Sequence, residues 1–256
     1  MAAFAYEVFY LGLRTTRRYL RVPSNWISII FFPLVQLLIF SQLYQDIVQL
    51  PGFGGQGSYL AYLAPGQVAF TAFMAVNWSS FGLLVEYRTG YLDKLRASPI
   101  GRWSILAGEM VPLFFQAATM AGILLLVSVL LGASIATGIG GFVLIVALSG
   151  AFGIAFAGTS FIPALLTRSE QATSSLALLL FPLIFMSTAF VPVALMPEWI
   201  RAFNAWNPVT YLIEAIRALM VTGYDWGVIG AAVVSMAILG VVLQSGTLWA
   251  FHRLTR

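Results

Sequence analysis

The sequence predicts an all-α integral membrane protein with six transmembrane helices. Of its 256 residues, 60% are hydrophobic and only 9% are charged, and the mean hydropathy is +0.92. A soluble domain carries about 25% charged residues, so this composition excludes a water-soluble globule. Most charges lie at the ends of apolar stretches, each near the ~20 residues that a helix needs to cross a bilayer. We expect one transmembrane domain over residues 1–256.

The positions of the basic residues predict the orientation of this domain. The spans are predicted at 25–45, 59–85, 103–131, 139–164, 171–192 and 228–250. Arginine and lysine mark the cytoplasmic side of a membrane protein. All of them except Arg201 and Arg217 fall in the N-terminal arm, the loops after the second and fourth spans, or the C-terminal tail. Both termini are therefore expected in the cytoplasm.

The N-terminal arm, residues 1–22, is predicted to form an amphipathic helix that lies in the membrane interface. Its arginines recur at intervals of three, one and three, which places them on one helical face. Such a helix directs its basic face towards lipid phosphates. A plain signal for membrane orientation is the alternative. The arginines assigned to the membrane surface are Arg14, Arg17, Arg18 and Arg21.

A short amphipathic helix is predicted in the cytoplasmic loop at 86–99. Tyr87, Tyr91 and Leu95 are four residues apart and form an apolar stripe, beside charged residues that include Lys94. Pro99 ends this helix. An amphipathic helix at the end of a long span suits a groove in another protein. A solvated loop with two tyrosines at the headgroup level is the alternative.

The segment 193–223 is too broken by polar residues and prolines to span a membrane, and by parity it lies on the outer side. Pro197 and Pro208 each favour the start of a short helix, and Asn207 can cap the second one. Glu214 and Arg217 are three residues apart and can pair. We expect a re-entrant hairpin that acts as an outer gate, which requires surrounding protein or a water-filled cavity. A surface hairpin anchored by tryptophans is the alternative. The residues assigned to the hairpin are Pro197, Trp199, Asn207, Pro208, Glu214 and Arg217.

Two of these segments resemble a known family. The run E-Y-R-T-G-Y-L-D-K-L-R-A-S-P-I-G-R-W, which begins at Glu86, resembles the first cytoplasmic loop of type-2 ABC exporter permeases of the daunorubicin-resistance type. The runs M-P-E-W-I from Met196 and N-P-V-T-Y from Asn207 are similar to the same family's segment before the last span. The loop at 46–58 is short and glycine-rich, which argues against relatives with a large extracellular domain.

The resemblance implies a permease subunit in a bacterial cell membrane that exports a hydrophobic or amphiphilic drug, antibiotic or lipid. It implies two cytosolic ABC ATPase subunits, a second copy of this chain or a similar permease, and membrane lipid as partners, but no nucleic acid. ATP and Mg²⁺ are expected on the ATPases, with no cofactor or metal on this chain. The residues assigned to ATPase coupling are Glu86, Arg88, Gly90, Tyr91, Lys94, Leu95, Arg96 and Pro99.

No catalytic residue is predicted. The single lysine, Lys94, follows an aspartate, which excludes a G-x-x-x-x-G-K-[ST] phosphate-binding loop. An ion channel or autonomous carrier is expected to place ionisable groups in mid-membrane, and the spans hold none there. The alternatives that remain are a lipid-linked glycan exporter permease, a non-transporting scaffold, and an intramembrane serine protease that uses Ser160 and His252.

Overall fold

The computed structural model of the protein describes residues 2–20, 23–49, 58–98 and 100–254. These residues form helices joined by turns, and they include no β-strand. The α-helices are α1 Ala2–Leu20, α2 Pro23–Leu43, α3 Tyr59–Arg88, α4 Tyr91–Ala97, α5 Arg102–Leu130, α6 Gly138–Phe156, α7 Gly158–Thr167, α8 Glu170–Leu178, α9 Phe181–Phe185, α10 Glu198–Asn204, α11 Pro208–Arg217 and α12 Trp226–Leu254. Short 3₁₀ turns follow α2 and precede α10, and a π turn extends α11 to Thr222.

Four helices in the described part of the chain are long and apolar enough to cross a membrane. They are Tyr59–Val76 within α3, Trp103–Leu130 within α5, Gly138–Thr167 across α6 and α7, and Trp226–Arg253 within α12. The predicted first and fifth spans contain shorter apolar helices, Ile30–Leu43 and Glu170–Phe185. The predicted all-α class with membrane-spanning helices is therefore confirmed, and the count of six spans stays a prediction.

The predicted fifth span, 171–192, is interrupted. α8 ends at Leu178, a turn follows, and α9 begins at Phe181. Pro182 occupies the first turn of α9, where its missing N–H costs no helical hydrogen bond. A helix that continued from α8 through Pro182 would bring the proline ring against the carbonyl of Leu178. The proline therefore separates the two helices.

α3 is the central helix of the bundle. Of its apolar window, 83% is buried inside the protein, against 17% for α12. Phe70 and Phe73 of α3 are fully buried, and both rings lie within 6.3 Å of the Phe181 ring of α9. Phe73 also lies 5.3 Å from the ring of Phe156 at the end of α6. Helices in lipid associate by close packing of this kind, because lipid tails are as apolar as the side chains.

The chain that follows α9 passes directly over the first turns of α3. The Tyr62 hydroxyl donates to the carbonyl of Thr188 over 3.0 Å, and Tyr59 donates to the carbonyl of Phe190 over 3.3 Å. At Gly66 a Cβ atom would lie 2.5 Å from the carbonyl oxygen of Ala189. Glycine is required there because backbone and helix leave no space for a side chain.

The two ends of α3 lie at opposite ends of the bundle. The turn between α5 and α6 bonds to the end of α11 through Ala136 N and the carbonyl of Met220, 2.9 Å apart. We call this the hairpin end, since α10 and α11 lie there, and the opposite end the α4 end. Tyr62 and Glu86 are separated by about 36 Å along α3, from a helical rise of 1.5 Å per residue.

Candidate functional site

A buried carboxylate marks the α4 end of α3. Glu86 lies in the last turn of this helix and is 3% exposed. Arg14 of α1 pairs with its Oε1 atom, and Arg18 Nη1 donates to the same oxygen over 2.8 Å. A buried carboxylate is stable only when it is paired and hydrogen-bonded, so α1 is bound to α3 here by charge.

Arg14 also contacts two further helices. Its Nη2 atom lies 3.7 Å from Oε1 of Glu109, a second buried carboxylate, in α5. Its guanidinium carbon lies 4.2 Å from the ring centroid of Tyr91 in α4. Thr15 donates to Glu109 over 3.0 Å. We call the residues Arg14, Thr15, Arg18, Glu86, Tyr91 and Glu109 the α4-end cluster.

Glu109 is not among the residues for which the sequence predicts a role. A carboxylate within an apolar helix requires a partner, and the arginine-rich arm is the nearest source of cations in the sequence. This requirement could have predicted that Glu109 pairs with an arginine of the N-terminal arm. The choice of Arg14 and Thr15 depends on how α1 packs along α5, which sequence spacing does not show. Close approaches between Leu11 and Gly108 set this packing, because a Cβ atom on Gly108 would lie 2.5 Å from Leu11 Cβ.

The arginines of the N-terminal arm do not act as one lipid-facing set. Arg14 and Arg18 are partly buried against Glu86, whereas Arg17 is exposed. Arg21 lies outside the described residues. Pairing with a buried carboxylate turns two of the arginines towards the protein, so contact with lipid phosphates stays a prediction for the arm. The exposed surface of α1 carries aromatic side chains instead: Phe4, Tyr6, Phe9 and Tyr10.

The helix predicted at 86–99 begins later than expected. α3 continues through Arg88, so Glu86 and Arg88 belong to the end of the long helix. Gly90 has a φ of 67°, a left-handed conformation that separates α3 from α4 and favours glycine. α4 then spans Tyr91–Ala97. Pro99 lies outside the described residues.

The apolar stripe of this region faces the protein's own bundle. Leu95 is 8% exposed and belongs to a buried cluster with Ile105 and Phe161, and Tyr87 and Tyr91 pack against the same cluster. The exposed side of α4 carries Lys94 and Ala97. Arg96 lies on α4, but its side chain is outside the described part of the structure. The stripe is therefore covered by the protein itself, and contact of α4 with an ATPase subunit stays a prediction.

The start of α8 joins the same end of the bundle. Arg88 Nη1 lies 2.9 Å from Glu170 Oε1, and the Arg168 guanidinium carbon lies 5.1 Å from the ring centroid of Tyr87. The two side chains are 56% and 40% exposed, so the pair contributes at most about 1 kcal/mol. These contacts place the loop after the predicted fourth span beside the loop after the second, which agrees with the predicted topology.

At the hairpin end, the two short helices begin as predicted. Pro197 precedes α10, and Pro208 is the first residue of α11. The Asn207 side-chain oxygen accepts from Val209 N over 3.1 Å, which caps α11. Its Nδ2 atom donates to the carbonyl of Leu183 over 2.5 Å. Asn207 therefore fixes the start of α11 and binds it to α9.

Replacing Asn207 with alanine is expected to lower the free energy of unfolding by about 1–2 kcal/mol, because the cap is lost and the Leu183 carbonyl loses its donor. Thermal melting of the detergent-purified chain measures this effect. Ser58→Ala is the control, since Ser58 caps α3 from an exposed position over 3.2 Å. Equal losses in the two variants would show that the bond to Leu183 contributes nothing.

The predicted pair of Glu214 and Arg217 is present and reaches α3. Arg217 is 7% exposed, pairs with Glu214, and donates from Nη2 to the carbonyl of Thr188 over 2.6 Å. Its guanidinium carbon lies 4.2 Å from the ring centroid of Tyr62. The Thr188 hydroxyl donates to Glu214 over 2.5 Å. We call Tyr62, Thr188, Glu214 and Arg217 the hairpin-end cluster. The sequence did not predict that Tyr62 and Thr188 belong to it.

The surface of the hairpin is amphipathic. Ile213 and Ile216 of α11 are fully buried, whereas Trp199 and Trp206 are 66% and 88% exposed. Tryptophan is enriched at membrane–water interfaces, so these two side chains suit that level of a bilayer. Both the re-entrant hairpin and the anchored surface hairpin are compatible with this arrangement, and the depth of the hairpin stays a prediction.

The two residues of the protease alternative are both engaged with backbone carbonyls. The Ser160 hydroxyl is buried and lies 3.1 Å from the carbonyls of Val76 and Ala157. His252 Nδ1 lies 2.8 Å from the carbonyl of Leu248 in its own helix. A hydroxyl in a membrane helix commonly bonds backbone in this way, so the geometry lends the protease alternative no support.

Comparison with known proteins shows the family of this chain. Residues 6–221 match the model of the ABC-2 type transporter family. The chain belongs to this family. The resemblance inferred from the two sequence segments is thereby confirmed, and membership identifies the chain as a membrane permease subunit, the part of an ABC transporter that is not itself catalytic.

Relatives of this ABC-2 permease bear transport names. The chain is 30% identical over 221 residues to ycf38 of Cyanophora paradoxa, which is named as a transport permease; the match covers 84% of this chain and 74% of the relative. It is 25% identical over 207 residues to the daunorubicin resistance ABC transporter permease protein DrrB1 of Streptomyces coeruleorubidus, covering 77% and 69%. It is 25% identical over 211 residues to DrrC of Mycobacterium tuberculosis, named for doxorubicin resistance, covering 82% and 76%.

Proposed function

We propose that this ABC-2 permease is the membrane subunit of an ATP-driven exporter that moves a hydrophobic or amphiphilic molecule out of the cytoplasm or the inner leaflet. Six spans per chain, cytoplasmic termini and a bacterial cell membrane belong to this proposal. The functional unit contains two permease chains, either identical or similar, and two cytosolic ATPase subunits that bind ATP and Mg²⁺. The drug-resistance names of DrrB1 and DrrC support an amphiphilic cargo.

The observation that carries the proposal is the position of the two clusters on one continuous helix, α3. Glu86 binds the α4-end cluster at one end of α3, and Tyr62 binds the hairpin-end cluster at the other. The part of α3 from Tyr59 to Val76 is the most buried of the four candidate spans in the described residues. A packed helix transmits displacement along its axis, so movement at the α4 end reaches the hairpin end.

The mechanism follows from this arrangement. Closure of the ATPase subunits around ATP moves α4, whose exposed side carries Lys94. The α4-end cluster passes this movement to α3, and α3 displaces the hairpin through Tyr62 and Arg217. The hairpin then opens the path on the outer side, while separation of the ATPases resets α4. In this scheme the energy comes entirely from the partner, and the permease converts it into alternating access.

Affinity purification tests the proposal. A tagged chain extracted from its native membrane in mild detergent is expected to bring a stoichiometric cytosolic P-loop ATPase. Lys94→Glu is expected to reduce this capture about tenfold, because a charge at the edge of the interface is reversed. Arg201→Glu is the control, since Arg201 is an exposed cation at the hairpin end.

The alternatives predict other outcomes. A chain that purifies alone under several mild detergents would contradict the exporter and favour the non-transporting scaffold. Full capture by Lys94→Glu would keep the ATPase partner and remove α4 as its contact. Copurification of enzymes that act on lipid-linked sugars, together with the ATPase, would favour the glycan exporter.

A further inference from the structure

A groove between α6 and α12 is open on the outer side of the bundle. Its volume is about 470 Å³, within the range of about 300–1,000 Å³ that is usual for ligand pockets. Towards the α4 end the helices come together, because a Cβ atom on Gly158 of α7 would lie 2.7 Å from the carbonyl oxygen of Leu243. Alanines on both helices leave the space above this contact. The side chains that line the groove include Leu148, Ala151, Ala155, Val233, Met236 and Ala237.

The groove lies within the apolar part of α12. Val233 and Gln244, which both line it, are about 16 Å apart along this helix, and Gln244 lies about 14 Å before Arg253. Phe251 belongs to the same buried cluster as Leu95 of α4, so Arg253 marks the α4 end. Only 17% of the apolar window of α12 is buried inside the protein. An occupant of the groove therefore comes from the hydrocarbon region of the bilayer and not from water.

Gln244 is the only polar residue among the described residues that line the groove. Its Nε2 atom donates to the carbonyl of Ile154 over 2.7 Å, and this bond fixes the orientation of the amide, because a carbonyl only accepts. The Oε1 atom of Gln244 is buried and has no hydrogen-bond partner among the described residues. A buried acceptor without a donor is unfavourable. The groove thus combines an apolar wall with one acceptor that requires a donor.

The chemistry of the occupant follows from these features. An ionised group is excluded, since none of the described lining residues is charged and hydrocarbon does not solvate an ion. A plain acyl chain covers the apolar wall but supplies no donor. A hydroxyl group dissolved in hydrocarbon also lacks hydrogen-bond partners, so its bond to Gln244 satisfies both groups. These requirements favour a neutral lipid that carries a hydroxyl group and a long apolar chain.

We propose that the groove between α6 and α12 binds such a lipid, whose hydroxyl group donates to Oε1 of Gln244 and whose chain extends towards the hairpin end. The terminal amide torsion of glutamine has a broad range, so Oε1 turns towards the groove while Nε2 keeps the Ile154 carbonyl. The lipid is a resident of the bilayer and not the exported cargo, because no residue of the two clusters lines the groove. The inference is independent of the proposed function, and either one can fail without the other.

The test uses the full chain in lipid nanodiscs and two photoreactive probes with alkyl chains of equal length. Each probe carries a diazirine in its chain; one is a long-chain alcohol, and the other is its methyl ether, which accepts a hydrogen bond but donates none. Labelled peptides of α6 and α12 are quantified by mass spectrometry. Gln244→Leu removes the acceptor, and Ala237→Phe fills the groove. Ala231→Phe is the matched control, because Ala231 is an exposed alanine of α12 that does not line this groove.

In the unchanged chain the alcohol is expected to label the groove about three- to tenfold more than the ether, which is the scale of one hydrogen bond. In Gln244→Leu both probes are expected to label at the level of the ether. Ala237→Phe is expected to reduce labelling by both probes to background, and Ala231→Phe is expected to match the unchanged chain. Melting temperatures establish that each variant folds; in Gln244→Leu the Ile154 carbonyl still accepts from Ala157 N over 3.2 Å.

Three outcomes overturn the inference. Equal labelling by the alcohol and the ether in the unchanged chain, a comparison that needs no variant, removes Gln244 as the acceptor. Labelling that persists in Ala237→Phe shows that the probes contact the lipid-exposed surface in general. A groove that neither probe labels is closed by protein, such as a second copy of the chain. Each of these results leaves the proposed function intact, since none of them concerns the ATPase.

Discussion

Glu214→Leu is expected to be the most damaging single substitution in the hairpin. It leaves Arg217, a buried cation, beside Thr188 and Tyr62 without its counter-charge. Removing one partner of a buried ion pair costs about 3–5 kcal/mol, and the low end applies because the Glu214 side chain is 39% exposed. The expected result is a large drop in melting temperature and loss of transport, with the ATPase still bound at the far end.

The double variant Glu214→Leu/Arg217→Met sharpens this test. Apolar residues in place of both charged residues leave no buried charge without a partner. The double variant is therefore expected to recover about half or more of the stability lost in Glu214→Leu. Glu198→Leu is the control, since Glu198 is an exposed carboxylate in the same hairpin. A double variant less stable than Glu214→Leu would show that the hydrogen bonds of Arg217 to Thr188, and not the charge pair, hold the hairpin.

Gly66→Ala is expected to have the second largest effect. The new methyl group would lie 2.5 Å from the carbonyl oxygen and 2.6 Å from the Cα atom of Ala189. Backbone atoms cannot rotate away as a side chain does, so the segment over α3 must shift and carry Thr188 with it. Overpacking of this kind costs about 1–3 kcal/mol or more. Melting of the purified chain measures the loss, about 2–4 °C for each kcal/mol at this chain length.

Gly230→Ala is the matched control for this substitution. Gly230 lies inside α12, and a Cβ atom there would meet nothing within 4 Å. Alanine in place of a helical glycine is expected to raise stability by up to about 1 kcal/mol. The opposite signs of the two results separate steric conflict from a general effect of glycine replacement. Equal melting temperatures would contradict the close approach of the 188–190 segment to α3.

The hairpin was the segment most accessible to sequence reasoning. Proline at the first position of a helix, asparagine as its cap and a charged pair three residues apart are local patterns. Each depends on fewer than five consecutive residues, so Asn207, Pro208, Glu214 and Arg217 take the expected local positions. The attachment of this hairpin to Tyr62 depends on contacts across more than 120 residues, and no local pattern predicts it.

The helix predicted at 86–99 shows where periodicity alone is insufficient. A four-residue spacing from Tyr87 to Leu95 predicts one helix with a free apolar stripe. Gly90 interrupts it with a left-handed turn, and the stripe packs on the protein itself. The same spacing arises from a stripe that covers a partner and from one that covers its own bundle. Only the burial of Leu95 in its cluster with Ile105 and Phe161 distinguishes the two.

The sequence by itself determined the all-helical class, the four long apolar helices, the local starts of α10 and α11, and the family, because these depend on composition and on runs of adjacent residues. The tertiary structure alone decided which charges meet between different helices. Glu86 and Glu109 lie in different helices, and their cation, Arg14, comes from a third. Electrostatic attraction in a low dielectric is strong but requires contact distance, and contact distance is set by helix packing, which a linear pattern does not contain.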